Sequence, residues 1–285
     1  MVHLELESRP ENVALVRAML RGIGDRLGFD LELLDDLTTT VSEACNNVVI
    51  HAYEAGHGPM IVDVQAQDSL IEASVRDFGA GFRQAASAVD HVGVGLPLIS
   101  ALADQAEFLT NAAGGTDVRM CFDVSGRHAD NWLPDPLALD TLIPQATEVP
   151  ELPEQHTPST VLTDGDVVGT VAPATLVDGV LGRLGRMMAA RAHFSLERFS
   201  DLYVLFDVLG SQARSWTRRN HVDFAMSAER RRLQLRIGPV DADVERILHL
   251  ADRAPRHLRQ LVDEVTLESA PQSQMLRVVV YDRAA

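Results

Sequence analysis

Six prolines, Pro134, Pro136, Pro144, Pro150, Pro153 and Pro158, crowd the middle of this 285-residue chain and constrain its folding more than any other feature. Proline lacks an amide hydrogen and breaks both helices and central strands. Residues 127–172 also hold 8 acidic residues against 1 arginine, with no clear hydrophobic period. Such a stretch is expected to act as a linker. Leu137, Leu139, Leu142 and Ile143 give part of it a surface that could pack on a neighbouring domain. The expected organisation is a first domain at 1–126, a linker at 127–172 and a second domain at 173–285.

Charge follows this partition. Residues 1–126 carry 7 Arg and 19 acidic residues, whereas residues 173–285 carry 17 Arg and 14; there is no lysine. The net charge of −16 argues against direct nucleic-acid binding and against an anionic membrane surface. No apolar run reaches the ~20 residues that span a bilayer, and residues 1–7 do not read as a signal peptide. Cys45 and Cys121 form neither a disulfide framework nor a metal-binding spacing, so a cytoplasmic location is expected.

Hydrophobic spacing in the first domain alternates between two periods. Residues 2–6 repeat every second position, which predicts a strand. Val13, Val16, Met19, Leu20, Ile23 and Leu27 follow a helical stripe, with Gly28 as its terminator. Asp30 is placed to cap a second helix running from Leu31 to about Tyr53. Strands are predicted at 60–67 and 69–76, a helix at 96–103, and closing strands at 107–109 and 116–124. This mixture gives an α+β class or a two-layer α/β sandwich.

Three short motifs stand in order: Glu43-Ala-Cys-Asn-Asn47, Asp77-Phe-Gly-Ala-Gly81 and Gly93-Val-Gly95. Glu43 and Asn47 are four residues apart and share a helix face. A carboxylate beside an amide oxygen can hold hydrated Mg²⁺ or orient a nucleophile. The glycines let backbone approach a ligand, and Gly95 opens a helix start to phosphate oxygens. Neither a P-loop nor a dinucleotide fingerprint is present. Cys45 reads as a small buried residue, His51 and Tyr53 as helix-end packing or hydrogen bonding, and Arg230 to Arg232 as a solvated turn.

The ordered set Glu-x-x-x-Asn, Asp-x-Gly-x-Gly, Gly-x-Gly-Leu and Gly-Gly-Thr resembles the Bergerat, or GHKL, ATP-binding fold shared by gyrase and histidine kinases. Within it, Val41 to Tyr53, Val75 to Phe82, Val94 to Asp104 and Gly115 to Met120 are similar to the bacterial anti-sigma factor, serine-protein kinase group. The resemblance covers about residues 1–125. It implies a site for ATP and Mg²⁺, with Asn47 on the metal and Glu43 as general base toward a serine of a protein substrate. It further implies Asp77 on the adenine amino group, Gly79 and Gly81 around the base, and Thr116 supporting the adenine water network. Gly93, Val94, Gly95 and Leu96 would form the phosphate-side lid. Val94 stands where the family often has a polar or basic residue, a difference that bears on phosphoryl transfer more than on binding. The implied partners are a sigma factor or an anti-sigma antagonist protein.

The second domain reads as a degenerate copy of the first. Shifted by 165 positions, Phe29 to Leu37 lies on Phe194 to Leu202 with five of nine residues identical. Glu43 then falls on Val208, Asn47 on Gln212 and Asp77 near Pro239, so the ATP motifs are missing from the copy. Because the resemblance is to a homodimeric group, the copy could supply the dimer partner within one chain. Two functions remain open on these residues: a serine-protein kinase, or an ATP-sensing protein-binding module without phosphotransfer. A third, a scaffold with both halves degraded, fits poorly with Glu43, Asn47 and Asp77 all in place.

Overall fold

A computed structural model describes residues 1–53, 56–67, 69–81, 95–111, 114–125, 165–216, 220–240, 258–270 and 273–283. It divides into two compact units, Met1–Ala129 with Gly179–Met187, and Asp130–Asp178 with Met188–Ala285. Pro134 to Pro158, together with Leu137, Leu139, Leu142 and Ile143, lies outside the described residues.

The first unit runs β1 (Val2–Glu7), α1 (Pro10–Leu27), α2 (Leu31–Asn47), β2 (Pro59–Gln67), β3 (Leu70–Asp77), α3 (Gly95–Leu102), β4 (Gln105–Thr110) and β5 (Thr116–Asp123). Local chemistry explains the helix ends. Pro10 opens α1, where a missing N–H costs nothing. Gly28 ends it in the left-handed region at φ 68°, returning its N–H to the Gly24 carbonyl. The Asp30 carboxylate caps α2 by accepting the Leu33 N–H at 2.8 Å.

The sheet order is β1-β2-β3-β5-β4, and each neighbouring pair is antiparallel. Alternation sorts the strands into two faces. Leu4, Val62, Val75 and Val118 form one continuous cross-strand row, all buried. This is the helix-bearing face: α2 packs on α1, on α3, and on β3 and β5. The result is a two-layer α/β sandwich, as the hydrophobic periods imply.

The opposite face is polar. His3 donates to the Asp63 carboxylate at 2.6 Å and to the Glu5 carboxylate at 3.2 Å, and Arg119 pairs with Asp117 at 3.0 Å. Burial alone would lower the His3 pKa. Its hydrogen bonds to Asp63 and Glu5, and their charges, outweigh that and raise it to about 9.

The second unit runs β6 (Val167–Val171), a 3₁₀ turn at Ala174–Leu176, α4 (Val177–Arg191), α5 (Leu196–Trp216), β7 (Val222–Glu229), β8 (Arg232–Val240), α6 (Leu258–Leu261), β9 (Glu264–Ala270) and β10 (Ser273–Tyr281). Its sheet order is β6-β7-β8-β10-β9, again antiparallel. Asp282 accepts from the Ser195 N–H at 2.6 Å and from its hydroxyl at 3.0 Å, fixing the start of α5. Arg198 then ties that helix to Asp263 at 2.6 Å and to the Tyr281 carbonyl at 3.1 Å.

One feature differs from the linker boundary expected at 172. Val167–Val171 is a fully buried strand. Its β-branched residues favour a pleated surface, a signal masked in the sequence by the neighbouring Asp164 and Asp166. Among the described residues, no helix is long and apolar enough to cross a membrane.

Candidate functional site

Asp77 ends β3 on the wrong face for a charge. The row that starts with Leu6 and Met60 continues to Asp77, so its carboxylate lies on the helix-bearing side, with the residue 1% exposed. Its Oδ1 accepts the Gly79 N–H at 2.8 Å. No hydrogen bond or ion pair engages Oδ2 among the described residues. A carboxylate on so buried a residue, with one oxygen left over, is suited to accept from a ligand donor.

The wall around Asp77 is backbone. Asn111 donates its side-chain amide to the Asp77 carbonyl at 2.6 Å and accepts the Gly115 N–H at 3.1 Å. A Cβ at Gly115 would collide with the Asp77 carbonyl, and one at Gly79 with the Ala52 carbonyl. Gly81 takes φ 71° and lies against the Gly114 carbonyl, a conformation and approach open only to glycine. Thr116 opens β5, and the register Arg76↔Asp117 puts it opposite Asp77 one step on. Gly79, Gly81 and Thr116 are therefore gathered around Asp77.

Glu43 and Asn47 come from the last turns of α2. Beyond Asn47 the helix widens into a π turn at Val48–Ala52, a distortion common at functional sites. That turn delivers the Ala52 carbonyl, which accepts the Ala80 N–H at 3.0 Å and docks the Asp77–Gly81 loop on the helix. The Asn47 side-chain nitrogen is buried without a partner. The Glu43 carboxylate is half-buried, with no hydrogen bond or ion pair among the described residues. Gly95 lies directly on it, since a Cβ there would collide with Glu43 Oε1. Leu96 follows in α3, half-buried. Gly93 and Val94 lie outside the described residues.

The donor set suits a hard cation held chiefly by phosphate. Mg²⁺ usually takes only one or two protein ligands beside phosphate oxygens and water. Asn47 could offer its amide oxygen to such a cation, while its nitrogen, buried and without a hydrogen-bond partner, could donate to a ligand oxygen. No group of three metal-ligating His, Cys, Asp or Glu side chains occurs among the described residues. Cys45 is buried and its thiol is pushed up to about 12, chiefly by that burial against a smaller opposing effect of Arg17. It is a packing residue.

Two contributors were not singled out as site residues by sequence reasoning, Asn111 and Tyr53. Asn111 carries the signal of an asparagine opening a turn before a glycine pair. Tyr53 hydrogen-bonds at both sides of its hydroxyl, donating to the Pro59 carbonyl at 2.6 Å and accepting the Phe78 N–H at 3.0 Å.

Residues 6–122 match the histidine kinase-like ATPase domain family. This match falls within the first unit. Serine-protein kinase RsbW of Bacillus thuringiensis (strain Al Hakam) is 27% identical over 122 residues, covering 38% of this chain and 76% of the relative. The RsbW proteins of Bacillus cereus (strain AH820) and Bacillus mycoides (strain KBAB4) match with the same identity and coverage. Among solved structures, the RsbU and RsbW domains of a Mycobacterium tuberculosis protein match with 26% identity and a TM-score of 0.33. That match covers 42% of this chain and 31% of the other, so this chain spans about a third of that protein's length.

Proposed function

We propose that the first unit binds ATP with Mg²⁺ and transfers the γ-phosphoryl group to a serine of an antagonist protein, as part of a switch acting on a sigma factor. The observation that carries this reading is a set of polar groups with no further partner among the described residues: the second Asp77 carboxylate oxygen, the Asn47 amide nitrogen and the Glu43 carboxylate. In it Asp77 accepts from the adenine amino group and Gly79 and Gly81 bring backbone against the base. Thr116 orders water beside it. Asn47 would hold Mg²⁺ through its amide oxygen, and the ion would offset phosphate charge. Glu43 takes the proton from the serine hydroxyl as that oxygen bonds to phosphorus and ADP departs with the electrons of the broken bond. Gly93, Val94, Gly95 and Leu96 complete the phosphate side.

Incubation with γ-labelled ATP and a candidate antagonist tests the transfer. Label should pass to a serine of that protein and be lost in Glu43→Gln. Tight ATP binding with no transfer to any antagonist would instead favour the ATP-sensing reading.

A specific observation keeps that second reading in view. The two units share one order of elements and one order of strands, and α2 and α5 begin 165 residues apart, at Leu31 and Leu196. This supports a duplication whose second copy carries Val208 and Gln212 where the first has Glu43 and Asn47. Such a copy would serve as an intramolecular dimer partner, the acidic first half and mildly basic second half favouring association. Separately produced halves should then associate in solution; failure to do so at high micromolar concentration removes this part of the proposal.

A further inference from the structure

The Tyr53 hydroxyl occupies the place of a backbone hydrogen bond. The register Met60↔Asp77 makes Pro59 and Phe78 the next opposed pair of β2 and β3. A ladder bond at that step would run from the Phe78 N–H to the Pro59 carbonyl. Instead the Phe78 N–H reaches Tyr53 Oη at 3.0 Å, and Oη reaches the Pro59 carbonyl at 2.6 Å. Proline has no N–H, so the insertion orphans no donor on the β2 side.

A hydroxyl between two strands holds them apart. The chain leaves the sheet at Phe78, and the next residues turn toward Ala52, where Gly79 touches its carbonyl and Ala80 bonds to it. The Tyr53 ring is itself pinned, because Gly58 crosses it so closely that a Cβ would overlap ring atoms. Burial raises the phenol pKa, as does the Asp77 charge, against an opposing effect of the Phe78 amide. The proton that donates to Pro59 is thus retained.

We infer that Tyr53 is a positioning residue for purine recognition: its inserted hydroxyl sets the angle at which the Asp77 carboxylate and the Gly79 backbone meet the six-position of the base. This rests on the proposed ATP site. It adds a residue that need not touch the nucleotide yet controls which purine is accepted. Without the hydroxyl, the Phe78 N–H can bond directly to the Pro59 carbonyl. The sheet gains a rung, the fold persists, and Asp77 moves off its aim.

The test compares ATP with inosine triphosphate, which carries a six-oxo group where ATP has an amine, by calorimetry with Mg²⁺ on the full chain. The wild type should prefer ATP. Tyr53→Phe should weaken ATP binding by roughly tenfold, the scale of one misaligned charge-assisted hydrogen bond, and reduce the ATP-to-inosine preference, with little change in melting temperature. Gly58→Ala, which displaces the ring, should reproduce the lost preference and serves if Tyr53→Phe does not fold. An unchanged preference in both variants overturns the inference, whatever happens to stability. A wild type that binds neither nucleotide overturns the ATP site itself, a result separable from failure of Tyr53 alone.

Discussion

Gly95 and Glu43 are in direct contact: the first residue of α3 lies on the carboxylate of α2, with no room for a methyl group between them. The two positions stand 52 residues apart in sequence, in different motifs. Their contact joins the helix that would supply the base to the helix start that would face phosphate. The carboxylate is the flexible end of its side chain, so Gly95→Ala should fold. It should displace Glu43 and reduce phosphoryl transfer by about 10²-fold or more, within the range for a misplaced general base. A labelled-ATP assay and a thermal melt check both halves; full activity would show that the contact does not set the Glu43 position.

In the proposed site, Asn47 would separate metal from base recognition. Its buried nitrogen has no partner, so Asn47→Ala removes a polar group the protein itself does not satisfy, and stability should hold or rise slightly. Calorimetry should show nucleotide affinity losing most of its Mg²⁺ dependence, with metal-free binding nearly unchanged. Equal Mg²⁺ dependence in wild type and variant would remove Asn47 from the metal site.

His3 makes stability depend on pH. Its folded pKa of about 9 exceeds its ordinary value of 6.5. The stabilisation is therefore complete below pH 6.5, declines between 6.5 and 9, and is absent above. After allowance for the partial exposure of Asp63 and Glu5, it amounts to roughly 2 kcal/mol. Urea unfolding at pH 6 and pH 9.5 should show that loss in the wild type and a smaller one in His3→Gln.

Cys45 should resist alkylation in the native protein at pH 8, where burial both blocks access and suppresses the thiolate. Mass spectrometry should find Cys121 labelled first and Cys45 only after unfolding. Rapid native labelling of Cys45 would contradict the packing around α2.

The fold of the first unit could be read closely from residue pattern because local and long-range signals agree there. Asp30 caps α2 and Gly28 closes α1 as their chemistry implies, and the strand periods match the observed faces. Sequence spacing also put Glu43 and Asn47 on one face. It carried no sign of the contact between Gly95 and Glu43, nor of the Tyr53 hydroxyl between two strands, because both arise from pairs brought together only by packing. The π turn at Val48–Ala52 was hidden for a related reason. Its residues suit an ordinary helix, and what favours the wider turn is the docking of Gly79 and Ala80 on Ala52. In β6 the local charge pattern misled, since Asp164 and Asp166 extend the acidic composition up to the edge of a buried strand.

In the proposed site Asp77 reads adenine, and ATP titration of the full chain with Mg²⁺ against Asp77→Asn tests this most directly. The change preserves shape but puts an amide where a carboxylate would accept the adenine amino hydrogen. Affinity should fall by roughly 10- to 100-fold, the scale of a lost charged hydrogen bond, with the fold intact by circular dichroism. Equal affinity in the two proteins would contradict the account.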